Sequence, residues 1–178
     1  SIDLLNTIIR KLNSLSVKKQ LKVHIKIDTG MNRLGMKSEE IIKYLPYQRP
    51  FLFVDELTDI SENGITGSYT FPEDSFYYKG HFKDHPVTPG VILTEVMAQI
   101  GVVCLGILLF PNDLQHQAPK IALTSHKIDF FHPVYPKEKI TVISEKQYFR
   151  FNKLKCHVKA VNEQGQLVCR GEIAGMLA

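Results

Sequence analysis

The chain has 178 residues, 44% of them hydrophobic and 22% charged, a composition that can bury a core without disulfides or structural metal. The formal net charge of +4 is uneven: residues 1–35 hold seven Lys/Arg and two Asp (net +5), and residues 36–178 hold fifteen Lys/Arg and sixteen Asp/Glu (net −1). A nearly neutral body argues against nucleic-acid binding. Three widely spaced cysteines argue against a zinc site and indicate a reducing, cytoplasmic setting.

Two elements are predicted in the first 35 residues. The segment IDLLNTIIRKLNSL (2–15) repeats leucine and isoleucine at helical spacing, and LKVHIKID (21–28) alternates apolar and polar residues as a half-buried strand does. The loop DTGMNRLG follows, and the composition changes at Gly35/Met36. We therefore expect an N-terminal helix–strand appendage (1–35) ahead of a separate domain (36–178).

The next predicted elements run from a short helix to a long apolar one. KSEEIIKYL predicts a helix with Ser38 as its N-cap, FLFVDELTDI predicts a strand, and Asn63-Gly64 predicts a hairpin turn. A Pro/Gly-rich loop (80–90) precedes a helix from about Val91 to Phe110. Because Glu95 interrupts its apolar run, we predict a buried core helix rather than a membrane span.

Four extended runs follow, at about 120–131, 138–150, 154–163 and 167–177. No helical pattern separates them, so the sheet they form should be an antiparallel meander. A helix that is apolar on all sides must be covered. The predicted fold class is therefore α+β, an antiparallel sheet wrapped around a long central helix.

Three groups around the start of that helix could perform proton chemistry beside a carbonyl. His81 lies in a loop stiffened by prolines and, when neutral, can accept a proton. The Gly90 N–H opens the helix without an intrahelical partner and can bind a developing oxyanion. Glu95 could donate a proton, since burial disfavours its charged form. The alternative interpretation is that Glu95 is a buried, hydrogen-bonded structural group and that His81 is only a turn residue.

Three motifs carry a resemblance to a known family: YLPYQRPFLFVDEL (44–57), GHFKDHPVTPGVILTEVMAQ (80–99) and KIDFFHPVYPKEKI (127–140). In this order and spacing they resemble the (3R)-hydroxyacyl-[acyl-carrier-protein] dehydratases of the FabZ type over residues 36–178. The resemblance implies the hot-dog fold, His81 and Glu95 as catalytic residues, and Gly90 as the amide on the thioester carbonyl. A glutamate at 95 favours FabZ over FabA, which carries aspartate there.

The resemblance also implies the reaction, which is dehydration of 3-hydroxyacyl thioesters to trans-2-enoyl thioesters. This reaction needs no metal or other cofactor. The acyl chain lies in a tunnel for which the candidate residues are Phe82, Val91 and Met97. The partners are acyl carrier protein and a second subunit, because the histidine and the glutamate come from different chains of a homodimer, often a trimer of dimers. No membrane is involved. Carrier proteins are acidic, so the candidate docking residues are Lys127, Lys137, Lys139, Lys146, Arg150 and Lys153.

Departures from the family pattern leave the substrate open. Tyr47 replaces a histidine, Lys83 replaces a proline beside the site, and PKEK (136–139) replaces the usual turn. Both fatty-acid synthesis and aryl-polyene or flexirubin-type pigment synthesis remain possible pathways. A hot-dog acyl thioesterase and a non-catalytic acyl-binding protein are the alternative functions.

The appendage resembles a different family. KVHIKIDTGMNRLG (22–35) is similar to a segment of alanine racemases, whose lysine and arginine near pyridoxal phosphate fall on Lys26 and Arg33. Nothing else in the chain resembles a racemase. We therefore interpret residues 1–35 as a racemase-like fragment, and expect neither racemase activity nor pyridoxal phosphate binding.

Overall fold

The computed structural model of the chain describes residues 37–110 and 120–177. The predicted appendage (1–35) lies outside the described residues. In chain order the elements are α1 (Ser38–Lys43), β1 (Glu56–Ser61), β2 (Gly64–Thr70), a 3₁₀ turn (Phe76–Lys79), α2 (Gly90–Leu109), β3 (Ile121–Phe130), β4 (Lys139–Arg150), β5 (Lys153–Asn162) and β6 (Leu167–Leu177).

The six described strands form one antiparallel sheet in the order β1-β2-β4-β5-β6-β3. Helix α2 packs against its inner face, which confirms the predicted α+β class and the wrapped-sheet arrangement of the hot-dog fold. The predicted four-strand meander is wrong in one respect. Strand β4 pairs with β2 on one side and β5 on the other, so β3 cannot lie beside β4 and instead pairs with β6 at the edge.

Helix α2 is the central core element. It is long and apolar enough to cross a membrane by length and composition, but 83% of its most apolar window is buried inside the fold. Its middle segment, Gln99–Cys104, is π-helical, between α-helical segments at Gly90–Ala98 and Leu105–Leu109. Such π segments are frequent at functional sites.

The π segment meets the sheet where Gly101 faces Ser144 and Val158. A Cβ at Gly101 would lie 3.1 Å from the side chains of both, so glycine permits this close approach. The Ser144 hydroxyl donates a hydrogen bond to the Gly101 carbonyl oxygen at 2.8 Å. The sheet thereby satisfies a helix carbonyl and holds the middle of α2 in place.

The β1–β2 hairpin forms as predicted, but its turn lies one residue earlier. Ser61 pairs with Gly64, so Glu62 and Asn63 make the turn and Gly64 begins β2. A Cβ at Gly64 would overlap the Ser144 carbonyl oxygen, and the glycine is needed for strand packing.

The N-cap prediction for α1 is wrong. Lys37 is the N-cap, and its backbone N–H donates to the Glu40 carboxylate at 3.0 Å. The Ser38 hydroxyl instead accepts a hydrogen bond from the Leu57 N–H at 3.0 Å. Ser38 therefore ties α1 to β1 and does not cap the helix.

Strand β1 also begins later than predicted, at Glu56. The preceding backbone is satisfied by a side chain: the Phe53 N–H donates to Gln99 Oε1 at 2.8 Å, and the Phe51 carbonyl accepts from Gln99 Nε2 at 2.9 Å. Because these groups bond to the central helix, they do not join a strand ladder.

The cysteines of the chain are free and buried. Burial raises the pKa of Cys156 to about 11 and of Cys169 to about 12, and it raises that of Cys104 further. These three buried cysteines are core residues with little thiolate character.

Candidate active site

His81 is held by backbone contacts on both sides. Its backbone N–H donates to the Tyr77 carbonyl oxygen at 3.0 Å, which ties the loop to the 3₁₀ turn that precedes it. Its ring Nδ1 lies 2.8 Å from the Val87 carbonyl oxygen. A carbonyl only accepts, so the proton of the neutral ring is on Nδ1 and Nε2 keeps its lone pair. The loop thus presents an oriented base.

Two residues that were missed in the sequence hold the second half of this loop. The Tyr78 hydroxyl and Thr88 Oγ1 lie 2.5 Å apart in the interior, and the Thr88 N–H donates to the Val134 carbonyl at 2.7 Å. Burial also raises the pKa of Tyr78, so its hydroxyl stays protonated. The only sequence feature that indicated the contact between Tyr78 and Thr88 is the high aromatic content of SFYYKG (75–80).

Gly90 opens α2 beside the histidine loop, as predicted. Pro89 is the N-cap, and within the described part of the chain the Gly90 N–H has no hydrogen-bond partner. A Cβ at Gly90 would lie 3.2 Å from the Phe130 ring, so glycine lets this ring pack over the helix start. A free amide at the positive end of a helix suits a developing oxyanion.

His81 and Gly90 line the same cavity, which has a volume of about 350 Å³. The rings of Phe82, Phe130 and Phe131 contribute apolar walls. His132 also lines it, and its Nδ1 lies 2.7 Å from a backbone carbonyl oxygen. Histidine 132 was missed, although it lies within the third sequence motif.

Glu95 is not among the residues that line this cavity. It is half-buried on α2, and its Oε1 accepts a hydrogen bond from Gln99 Nε2 at 2.9 Å. Burial and, after it, the charge of Glu95 raise the pKa of the Tyr47 hydroxyl to about 12. Within one chain His81 and Gly90 therefore line one cavity, and Glu95 is not among its lining residues.

Gln99 is a further residue of this region that the sequence reading did not single out. It is fully buried, and its amide has an unambiguous orientation because Oε1 accepts from a backbone N–H and Nε2 donates to a backbone carbonyl. Its bond to Glu95 therefore presents a donor to that carboxyl group. The one sequence feature that could have identified Gln99 is its position as a lone glutamine in an apolar helix.

The three predicted tunnel residues lie in different environments. Phe82, with a backbone φ of 55°, is 62% exposed, and Val91 is 75% exposed at the first turn of α2. Met97 is fully buried, and its sulfur lies 3.2 Å from that of Cys169. Met97 thus belongs to the hydrophobic core and is not among the residues that line the cavity of His81.

Comparisons with known proteins match two family models to the chain. A family model described as FabA-like domain matches residues 45–174, and one described as alanine racemase, N-terminal domain, matches residues 4–50. The second match confirms the racemase resemblance and extends past the predicted boundary at residue 35.

Curated relatives are named 3-hydroxyacyl-[acyl-carrier-protein] dehydratase FabZ. The one from Sinorhizobium medicae is 32% identical over 143 residues, which are 78% of this chain and 88% of the relative. The one from Clostridium perfringens is 30% identical over 142 residues, 78% of this chain and 96% of the relative.

Solved structures share the fold at low identity. The dehydratase heterocomplex ApeI:P from Xenorhabdus doucetiae has a TM-score of 0.64 at 13% identity, covering 78% of this chain and 90% of that one. A hypothetical thioesterase from Streptococcus pneumoniae with coenzyme A has a TM-score of 0.53 at 15% identity, covering 69% and 84%. At such identities the likeness establishes the fold alone.

Proposed function

The chain belongs to the FabA-like domain family, and we propose that it dehydrates 3-hydroxyacyl groups on acyl carrier protein to trans-2-enoyl groups. The observation that carries this proposal is that two groups line one apolar cavity: His81, whose Nδ1 faces the Val87 carbonyl and so leaves Nε2 as the acceptor, and Gly90, whose N–H has no partner among the described residues. A base and an oxyanion donor that face the same cavity are what removal of a proton next to a thioester carbonyl requires.

The reaction follows from these groups. His81 Nε2 takes the proton from the carbon next to the thioester carbonyl, and the Gly90 N–H stabilises the charge that develops on the carbonyl oxygen. Glu95 protonates the 3-hydroxyl group as its C–O bond breaks, and water leaves. The double bond forms between the two carbons. Proton transfer from His81 back to Glu95 restores both groups.

We further propose that the working site forms in a homodimer, because Glu95 lies outside the His81 cavity of its own chain. Strand β3 is an edge strand that exposes most of its residues, among them Leu123 (48%) and Phe130 (50%). A long exposed edge with apolar side chains is a template for pairing. In a two-fold symmetric dimer that keeps both copies of α2 on the same face of the joined sheet, β3 pairs antiparallel with its copy. Such a dimer can assemble further into trimers of dimers.

The first test is the loss of the base. His81→Ala should abolish conversion of 3-hydroxybutyryl carrier protein to the enoyl product, as measured by mass analysis. His157→Ala, on the exposed face of the sheet, is the control and should convert the substrate as the wild type does. Wild-type turnover in His81→Ala would contradict the proposal. Release of free thiol in place of enoyl product would identify a thioesterase, and product formation by the wild type excludes a non-catalytic acyl-binding protein.

The second test is complementation. His81→Ala and Glu95→Gln homodimers should each be inactive, and co-expression should restore activity, because a mixed dimer holds one site with both intact groups. Absence of any recovery in isolated mixed dimers would contradict the shared site.

We propose that residues 1–35 are a racemase-like fragment without racemase function, since residues 36–178 contain all three dehydratase motifs. The chain should not retain pyridoxal phosphate through gel filtration. A protein-bound visible absorbance band after that step would contradict this proposal. The free cysteines of the chain fit a cytoplasmic location.

A further inference from the structure

The loop that carries His81 is exposed over most of its length. Residues 82–86 are all exposed, so little core packing fixes the position of this stretch. His81 lies before the stretch and Val87 after it, and His81 Nδ1 lies 2.8 Å from the Val87 carbonyl oxygen. The tautomer of the His81 ring therefore depends on whether the far side of an exposed loop keeps this carbonyl in place.

One peptide group links the ring to the core. The Val87 carbonyl that faces His81 and the Thr88 N–H belong to the same planar peptide, so they point in opposite directions. The Thr88 N–H donates at 2.7 Å to the carbonyl oxygen of Val134, a fully buried residue. Donation by the N–H also makes the carbonyl of the same peptide a better acceptor, because hydrogen bonds in a chain polarise one another. This chain of hydrogen bonds favours a proton on Nδ1 and a lone pair on Nε2.

A hydrogen bond between two buried hydroxyls holds this peptide from the side. The hydroxyls of Tyr78 and Thr88 lie 2.5 Å apart, and the two residues are 8% and 5% exposed. Tyr78 belongs to the 3₁₀ turn that precedes His81, and Thr88 follows Val87, so the bond spans the same loop as the contact between His81 and Val87. Stability alone does not require such a pair, because two apolar side chains of the same shape can be nearly neutral in its place. The position of the pair therefore indicates a role in the site.

We propose that Tyr78 and Thr88 are positioning residues: their hydrogen bond keeps the Val87 carbonyl within reach of His81 Nδ1 and thereby selects the tautomer that can act as the base. The proposal rests on the dehydratase function only for its effect on turnover. When the bond is removed, the Val87 carbonyl can withdraw from the ring, and neutral His81 then carries its proton on either nitrogen. A ring with its proton on Nε2 has no lone pair there to accept a proton from the substrate.

The first measurement reads the tautomer directly. The ¹⁵N NMR shifts of the imidazole ring are recorded in protein labelled with ¹⁵N-histidine, and the His81 signals are assigned by their loss in His81→Ala. At a pH where the ring is neutral, the wild type should show a protonated Nδ1 and an unprotonated Nε2. In Tyr78→Phe and Thr88→Val the two shifts should move toward each other, because each nitrogen then carries the proton for part of the time. Thr88→Ser keeps a hydroxyl and should resemble the wild type.

The second measurement is turnover of 3-hydroxyacyl carrier protein. In Tyr78→Phe, kcat should fall by about tenfold or more while KM stays within about twofold of the wild type, because a misplaced base slows the chemical step and leaves binding intact. Tyr78 gives the clearer test, since Thr88 lines the His81 cavity and Tyr78 is not among its lining residues. The control Tyr69→Phe removes a phenol hydroxyl from another buried tyrosine, on β2 and not among these lining residues, and should match the wild type in both measurements.

The double variant Tyr78→Phe/Thr88→Val separates positioning from a purely structural role. Each single change leaves one buried hydroxyl without its partner, whereas the double change removes both and should recover the stability that the single variants lose. We expect its ring shifts and its kcat to stay impaired. Recovery of wild-type kcat and ring shifts in the double variant would overturn the proposal, and so would wild-type ring shifts in Tyr78→Phe. Absence of turnover by the wild type would instead refute the dehydratase function, and the ring shifts would still decide the role of the pair.

Discussion

Replacing Gln99 by methionine should lower both the stability of the fold and the turnover that we assign to the Glu95 carboxyl group, because one amide contacts both the backbone and that group. Gln99 is fully buried, accepts a hydrogen bond from the Phe53 N–H, and donates to the Phe51 carbonyl and to Glu95. Methionine preserves the length and the apolar character of the side chain but supplies neither the acceptor nor the donors.

The expected loss can be worked from these three contacts. The Phe53 N–H lies at a residue with 0% exposure, so it would remain buried and unsatisfied at a cost of about 1–3 kcal/mol. Phe51 is 44% exposed and Glu95 is half-buried, so water can replace those bonds in part, and their loss adds on the order of 1 kcal/mol. The free energy of unfolding should fall by about 2–4 kcal/mol, which leaves a folded protein to assay if the wild type has ordinary stability.

Urea unfolding at one fixed protein concentration measures this change, since a dimer's stability depends on concentration. Gln164→Met, in the exposed β5–β6 turn, is the matched control and should change stability by no more than about 0.5 kcal/mol. Turnover per folded Gln99→Met protein should also fall, because Glu95 loses the donor that orients it. Equal stability of the two variants, or full turnover in Gln99→Met, would refute the reasoning.

Three further predictions concern the sheet, the thiols and an ion pair. Gly64→Ala should destabilise the fold by about 2 kcal/mol or more in urea unfolding, because its Cβ would overlap the Ser144 carbonyl; Gly80→Ala, whose Cβ would meet nothing within 4 Å, should be tolerated, and equal losses would contradict the steric argument. Burial raises the pKa of each of the three buried cysteines, so a disulfide reagent at pH 8 should label them only after unfolding; rapid labelling of the native protein would count against their burial. The hydrogen bond from Lys155 lowers the pKa of Glu172, so an NMR titration of Lys155→Met should show this carboxyl group protonating at higher pH, and an unchanged titration would exclude the pair as the cause. Because the folded-state pKa is the lower one, the pair stabilises the fold above the carboxyl group's ordinary range, and this contribution is lost as the pH falls through the folded value.

Much of the fold could be predicted because its signals are local. The apolar run of α2 indicated a buried helix, and the extended runs after residue 120 agree with β3 to β6 within one or two residues. The loop with His81 and the helix start at Gly90 could be predicted together, since few residues separate them and prolines restrict the backbone between them.

Errors arose where distant segments meet. The sequence around Ser38 is typical of a helix cap, but the hydroxyl bonds to Leu57, nineteen residues away. FLFVDELTDI has a strand pattern throughout, but the Gln99 amide satisfies the backbone at Phe51 and Phe53 in place of a neighbouring strand. Propensity does not reveal which partner a backbone group finds.

The sequence by itself determined that this protein has a central apolar helix, a sheet to cover it, and a loop histidine close to the glycine at which that helix begins. These features depend on residue periodicity and on contacts between near neighbours along the chain. Only the tertiary structure showed that β3 lies at an edge of the described sheet, beside β6, and that Glu95 is not among the residues that line the His81 cavity. Strand order and the separation of two side chains depend on packing between elements far apart in sequence, which no local pattern encodes.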